Sequence, residues 1–144
     1  MKIDEKDRLL IKLLSRDARM PVSELSKRVG LSGPATSERI RRLEANGIIS
    51  RFTLEIDLAA LGYPLQAIVR IKPRPGNMHI VEEMIMNEPG FLDCDKVTGD
   101  DCFVTRLALR SIADLDPVLL PFHEKAETNT AIIKSSPLRA RIPV

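Results

Sequence analysis

Apolar residues recur every three or four positions through residues 1–50 and then at alternate positions in several later runs, so the chain changes period once. Leu9, Leu10, Leu13 and Leu14 mark the inner side of a first helix from Asp4 to about Arg16, with Asp4 and Asp7 spaced as a capping box. Val22, Leu25 and Val29 share one face of a second helix; Ser23, Glu24, Lys27 and Arg28 form its polar side. Gly30-Leu31-Ser32 is a tight turn, in which Gly30 supplies backbone freedom after a helix end and Ser32 caps the next helix. Pro34 costs little in that helix's first turn, because its missing N–H would have no partner there. Thr36, Ile40 and Leu43 line the buried side of this third helix, which stops near Asn46-Gly47. Its opposite face is Pro34, Ser37, Glu38, Arg41 and Arg42.

Beyond Ser50 the pattern is that of strands. RFTLEID alternates and reads as a linking strand, and LQAIVRIK (Leu65 to Lys72) is a strand rich in β-branched residues. A turn at Pro73 to Gly76 leads to a helix over His79 to Asn87. Strands follow at Phe91 to Thr98 and Cys102 to Leu109, joined by the hairpin Thr98-Gly99-Asp100-Asp101. Ser111 to Phe122 is a helix that Pro117 should kink, and Ala131 to Arg139 is a last strand. Two split strand-helix-strand units back to back make a ferredoxin-like sandwich. The expected class is therefore α+β: a winged-type helix-turn-helix of three helices, then a ferredoxin-like βαββαβ domain with an antiparallel sheet. The expected division is residues 1–50 for the helices, 51–63 for a linker strand and hinge, and 64–144 for the sheet domain.

A pair of short helices across a tight turn puts the second helix in the major groove of DNA, its N-terminal half toward base edges. Helical hairpins of this kind also occur in ordinary all-α cores. The charge distribution favours DNA: residues 1–51 hold 12 Lys+Arg against 7 Asp+Glu, a balance of +5, while residues 52–144 hold 10 against 13, or −3. Ser37, Arg41 and Arg42 are the first candidates for contact with double-stranded DNA, followed by Ser32, Pro34, Glu38 and Arg39. Glu38 would accept from cytosine or pair with Arg42 one turn on, and Arg39, at the edge of the buried stripe, would serve phosphate or an acid of this chain. A balance of +5 is modest, so several copies acting together would supply the affinity.

The remaining composition narrows the class further. At 144 residues the chain holds one medium or two small domains, with no apolar run of membrane-spanning length and no apolar core in MKIDEKDRLL of the kind a signal peptide needs. The expected location is the cytoplasm, with no membrane partner. Cys94 and Cys102 have no second pair and no histidine at ligand spacing, so neither a metal site nor a disulfide framework is expected. His79 and His123 have no nucleophile nearby, and no phosphate loop is present, so no catalytic residue and no cofactor are expected.

Five segments carry a resemblance: IDEKDRLLIKLLSRDAR, the LSKRVGLS turn, ERIRRLEANGII, LGYPLQAIVRIK and the VTGDD hairpin. In this order they resemble the leucine-responsive/asparagine regulator (Lrp/AsnC) family of transcription factors over nearly the whole chain. The resemblance implies a dimer that associates into tetramers or octamers, bends or wraps operator DNA, and answers to an amino acid held between C-terminal domains. The family's hairpin often runs T-G-x-x-D-Y, whereas Thr98-Gly99 is followed here by Asp100, Asp101, Cys102 and Phe103. An effector site would use backbone N–H groups for a carboxylate and an acid for an ammonium: Gly99 for close approach, Asp100 or Asp101 for the ammonium, and Ser135 and Ser136 to complete it. The same residues are also what a plain hairpin turn favours. With aromatic residues at 3%, a stacked aromatic ligand is disfavoured. The expected function is a sequence-specific regulator gated by an amino acid or related metabolite; the alternative is an oligomeric architectural protein that wraps DNA without gating.

Overall fold

The structure is a computed structural model that describes residues 2–143. By contacts the chain separates into two compact units, Met1–Glu55 together with Leu138–Val144, and Ile56–Pro137.

The first unit is helical. Helix α1 spans Glu5–Arg16, α2 Val22–Val29 and α3 Gly33–Ala45. Each boundary has a local cause. The Asp4 side chain accepts from the Asp7 N–H at 2.8 Å while the Asp7 side chain accepts from the Asp4 N–H at 3.1 Å, the reciprocal box that starts α1. Gly30 ends α2 at φ +69°, where its N–H reaches the Ser26 carbonyl at 2.9 Å. Ser32 opens α3 by accepting from the Ala35 N–H at 3.3 Å. Leu10, Leu13, Leu14, Leu25 and Val29 form the core, with Met20, Leu31, Ile40 and Ile49 packed on it. Leu9, expected to face inward, is exposed, because the apolar stripe of α1 is only wide enough for Leu10, Leu13 and Leu14. Ile142 from the C-terminal segment lines a hollow with Ile11, Leu14 and Phe52.

The second unit is a four-stranded antiparallel sheet with helices. Its strands are β1 (Leu65–Pro73), β2 (Phe91–Lys96), β3 (Phe103–Leu109) and β4 (Ala126–Ile132), in the spatial order β2-β3-β1-β4. Helix α4 (Met78–Asn87) joins β1 to β2, and α5 (Leu115–Leu119), flanked by 3₁₀ turns at Ile112–Asp114 and Leu120–Phe122, joins β3 to β4. This is the split βαβ arrangement that the strand and helix order predicts. Ala67, Val69 and Ile71 of β1 pair with Leu107, Thr105 and Phe103 of β3 and face the helices, where Val81, Ile85, Leu119 and Phe122 complete the core. The other face presents Gln66, Ile68 and Arg70 beside Ala108, Arg106 and Val104.

Three further expectations need correction. RFTLEID pairs with no strand among the described residues: Phe52, Leu54 and Ile56 alternate but stand exposed, because this single chain brings no strand edge to them. The last strand lies at Ala126–Ile132 rather than from Ala131 on, so Ser135 and Ser136 fall beyond it. Its inward residues, Ala126, Thr128 and Thr130, are small or polar, so the stronger apolar signal is the AII at 131–133, at and beyond its end. The expected helix from Ser111 is broken into three short pieces, since Pro117 and Pro121 each lack the N–H that a continuous helix would use.

Candidate nucleic-acid interface and effector hairpin

Helix α3 sorts its side chains by angle. Thr36 and Leu43 are fully buried, the Thr36 hydroxyl donating to the Ser32 carbonyl at 2.9 Å. Ser32, Pro34, Ser37, Glu38, Arg41 and Arg42 are all exposed, and from Pro34 onward they fall on one side of the helix. Within that face Glu38 takes two hydrogen bonds from Arg41, at 2.8 Å from Nε and 2.6 Å from Nη2. Glu38 therefore pairs with Arg41 three residues on, not with Arg42. The hydrogen bonds from Arg41 hold the Glu38 carboxyl below the usual carboxylate range, and the charge of Arg42 adds to the effect. The pair is solvent-exposed, so it is worth little in stability. Both hydrogen bonds turn the Arg41 guanidinium onto Glu38.

Arg39 has a different environment. Its Nη1 donates to Asp4 at 2.7 Å and to Asp7 at 2.8 Å, and Asp7 is 2% exposed. Of the two fates the sequence left open for Arg39, the structure places it on an acid of its own chain. The Asp4 carboxyl is held low, first by the Asp7 backbone N–H and then by Arg39. This three-residue cluster fixes the start of α1 against α3. The signal for it is in the chain, since Asp4 and Asp7 have capping-box spacing and Arg39 lies beside the buried stripe.

The β2–β3 hairpin is closed by the Val97 N–H on the Cys102 carbonyl at 2.7 Å. The left-handed residue of the turn is Cys102, at φ +62°, rather than Gly99. A side chain added at Gly99 would meet nothing within 4 Å, so the space over its backbone is open. Asp100 is exposed and Asp101 half-exposed, with Asp101 Oδ2 3.6 Å from Arg70 Nε on β1. Arg70 was missed in the sequence, although alternation along LQAIVRIK already places it on the face opposite Val69 and Ile71. Ser135 is exposed and Ser136 half-buried in the segment after β4.

Cys94 does not stand in a nucleophilic environment. Desolvation pushes the Cys94 thiol up, and the acidic neighbours Asp95, Glu82 and Asp93 push it further. Among the described residues no group of three His, Cys, Asp or Glu side chains is placed to hold a metal. No helix among them is long and apolar enough to cross a membrane.

Comparison with known proteins decides the family. The AsnC-type helix-turn-helix domain matches residues 3–44, and the Lrp/AsnC ligand binding domain matches residues 66–142. The chain belongs to the Lrp/AsnC family. Relatives in this family are named as transcriptional regulators rather than enzymes, and the helix-turn-helix unit implies DNA binding. The regulator LrpC of Bacillus subtilis is 30% identical over 94% of both chains. Its solved structure superposes with a TM-score of 0.88, covering 94% of this chain and 97% of that one. LrpA of Pyrococcus horikoshii is 32% identical over 81% of this chain and 83% of its own. A feast or famine regulatory protein of Mycobacterium tuberculosis, solved in complex with L-methionine, is 29% identical with a TM-score of 0.83, covering 98% of each chain.

Proposed function

We propose that this Lrp/AsnC protein is a sequence-specific DNA-binding regulator whose affinity or assembly is set by an amino acid. In this reading residues 1–50 bind DNA, 51–63 form the hinge and 64–144 bind effector and mediate assembly. The observation that carries the DNA half is the exposed face of α3, where Ser37, Arg41 and Arg42 stand together while Arg39 is turned into the unit. Arg42 is assigned to phosphate or guanine, and Arg41, steadied by Glu38, to a base edge. Ser32 and Pro34 allow the helix start to approach the backbone closely, and Ser37 donates to base or phosphate. Arg39 positions the helix rather than touching DNA.

The effector is assigned to the hairpin, at a site between subunits: a carboxylate against the open backbone at Gly99 and an ammonium on Asp100 or Asp101, with Ser135 and Ser136 closing it. The L-methionine complex of the mycobacterial relative supports an amino acid as the class of ligand. Self-association into dimers and then tetramers or octamers would use the uncovered sheet face around Ile68 and Val104 and the exposed alternation of Phe52, Leu54 and Ile56. Such a protein works where the DNA is, in the cytoplasm.

The test is a binding titration against DNA from upstream of the protein's own gene and against random DNA of equal length, at fixed physiological salt, with and without pooled amino acids. A preference of about a hundredfold that the pool alters is expected. Equal, weak binding to both DNAs, indifferent to the pool, would replace this reading with an architectural one.

A further inference from the structure

Glu38 is an acid on the face of α3 assigned to DNA, where a polyanion repels it. Its geometry gives it a use there. Oε2 accepts from Arg41 Nε at 2.8 Å and Oε1 from Arg41 Nη2 at 2.6 Å, so the carboxylate covers the edge of the guanidinium that Nε and Nη2 share. A guanidinium carries further N–H donors in the same plane. This contact leaves its other fork, one N–H from Nη1 and the second from Nη2, and such a parallel pair of donors matches O6 and N7 of guanine.

Position adds a direction. Helical side chains lean toward the N-terminus, and Glu38 lies about one turn before Arg41, so the pair draws the guanidinium back toward the half of α3 that faces base edges. Both side chains are more than half exposed, which leaves them room to meet a base. Charge adds a second effect. Glu38 is held below the usual carboxylate range by the hydrogen bonds from Arg41, so it is ionised at neutral pH and the two side chains together carry no net charge. A neutral pair releases few counterions from a phosphate backbone, and its carboxylate is repelled by one. Against guanine the pair has no such penalty, because the base edge is uncharged and offers acceptors to the open fork.

We propose that Glu38 is a positioning residue that turns Arg41 into a reader of guanine and keeps it off phosphate, and so sets how strongly the protein distinguishes its target from random DNA. This rests on the assignment of α3 to base contact and adds the source of the discrimination. Without Glu38, the same arginine binds DNA more tightly and less selectively.

The test is a titration of the full chain against upstream DNA and random DNA of equal length, at several salt concentrations, for the unaltered protein, Glu38→Gln, Arg41→Ala and the double variant. Glutamine keeps the length of the side chain and suits a helix, and an exposed pair contributes little to stability, so the fold is retained. Glu38→Gln is expected to bind random DNA about threefold or more tightly and to steepen the fall of log affinity with log salt by about one. It should cut the preference for upstream DNA by about tenfold. In the Arg41→Ala background the same change should leave that preference where it is, since Glu38 acts through Arg41. Upstream DNA with 7-deazaguanine in place of guanine, which lacks the N7 acceptor, should weaken the unaltered protein by about tenfold and Glu38→Gln by less. A preference that survives Glu38→Gln, with an equal gain on both DNAs, would overturn this inference alone and leave Glu38 as a general repulsive charge. A preference that falls just as far when Arg41 is already alanine would also overturn it, because Glu38 would then touch a base itself. No preference in the unaltered protein would overturn the sequence-specific reading and this inference together.

Discussion

The two units of this chain are stabilised by different means. In Ile56–Pro137 an apolar layer, interrupted only by the buried Thr105 on β3, runs from Ala67, Val69 and Ile71 through Phe103, Leu107 and Leu109 to Val81, Ile85 and Phe122, with Phe91 and Phe122 meeting edge to face at 5.9 Å. In the helical unit the leucine cluster is smaller, and to the packing of Ile40 on it the join between α1 and α3 adds a charged link, through Arg39, Asp4 and Asp7. Lys6 adds a hydrogen bond to the Gly30 carbonyl at 3.2 Å. A domain of about fifty residues buries a smaller share of its surface than a larger one, so directed polar links carry more of its stability. The difference teaches where each unit is vulnerable: the sheet to lost volume, the helices to lost charge.

The largest effect is expected from Phe103→Ala, which empties a fully buried position in the sheet core and should cost about 3–5 kcal/mol. Urea denaturation gives the magnitude, and native-state hydrogen exchange gives the location. Amides of β1 and β3 should lose protection while those of α1–α3 keep theirs; equal loss in both would mean that the two units unfold as one. Next comes Arg39→Ala, which leaves the buried Asp7 carboxylate without its cation and should cost about 2–3 kcal/mol, with the loss confined to α1–α3. Adding Asp7→Ala should recover part of that cost, and simple additivity in the double-mutant cycle would show that the two residues are not coupled.

Arg41→Ala and Arg42→Ala sharpen the same contrast on a single helix. Both are exposed, so each should change stability by no more than about 0.5 kcal/mol. Each should weaken DNA binding by about 1–3 kcal/mol. A uniform loss across DNA sequences is expected for phosphate contact at Arg42, and relaxed base preference for Arg41. The smallest effect is one of pH. Because the folded state holds the Asp4 carboxyl below its unfolded value, its stabilisation is present at neutral pH and disappears as pH falls through and below the carboxylate range. Asp4→Asn keeps a capping side chain but removes the charge. It should flatten the acid limb of unfolding for the helical unit and leave that of the sheet unchanged.

The first three helices were legible because four of their six ends are marked by local chemistry: Asp4 and Asp7, Gly30, Ser32 with Pro34, and Asn46-Gly47. The sheet topology followed from element order alone. What escaped depends on partners distant in sequence. β4 is a strand because β1 accepts its backbone from Ala67 to Pro73, not because AETNTAI is apolar. RFTLEID has a strand's alternation without a neighbour in this chain, and alternation cannot report a missing neighbour. At the candidate sites, the exposed face of α3 followed from helical angle. The choice of Arg41 rather than Arg42 by Glu38 depends on side-chain torsions, which periodicity does not encode.

One feature of the sheet bears on how the protein behaves when concentrated. β2 is an edge strand, and an edge offers unpaired backbone to any passing chain. Here the register slips between Phe91 and Asp93, and Asp93 and Asp95 stand exposed along the strand. A second β2 laid alongside would have to match an irregular backbone and bring carboxylates against carboxylates. Fibre growth through that edge is thereby opposed twice, by shape and by charge.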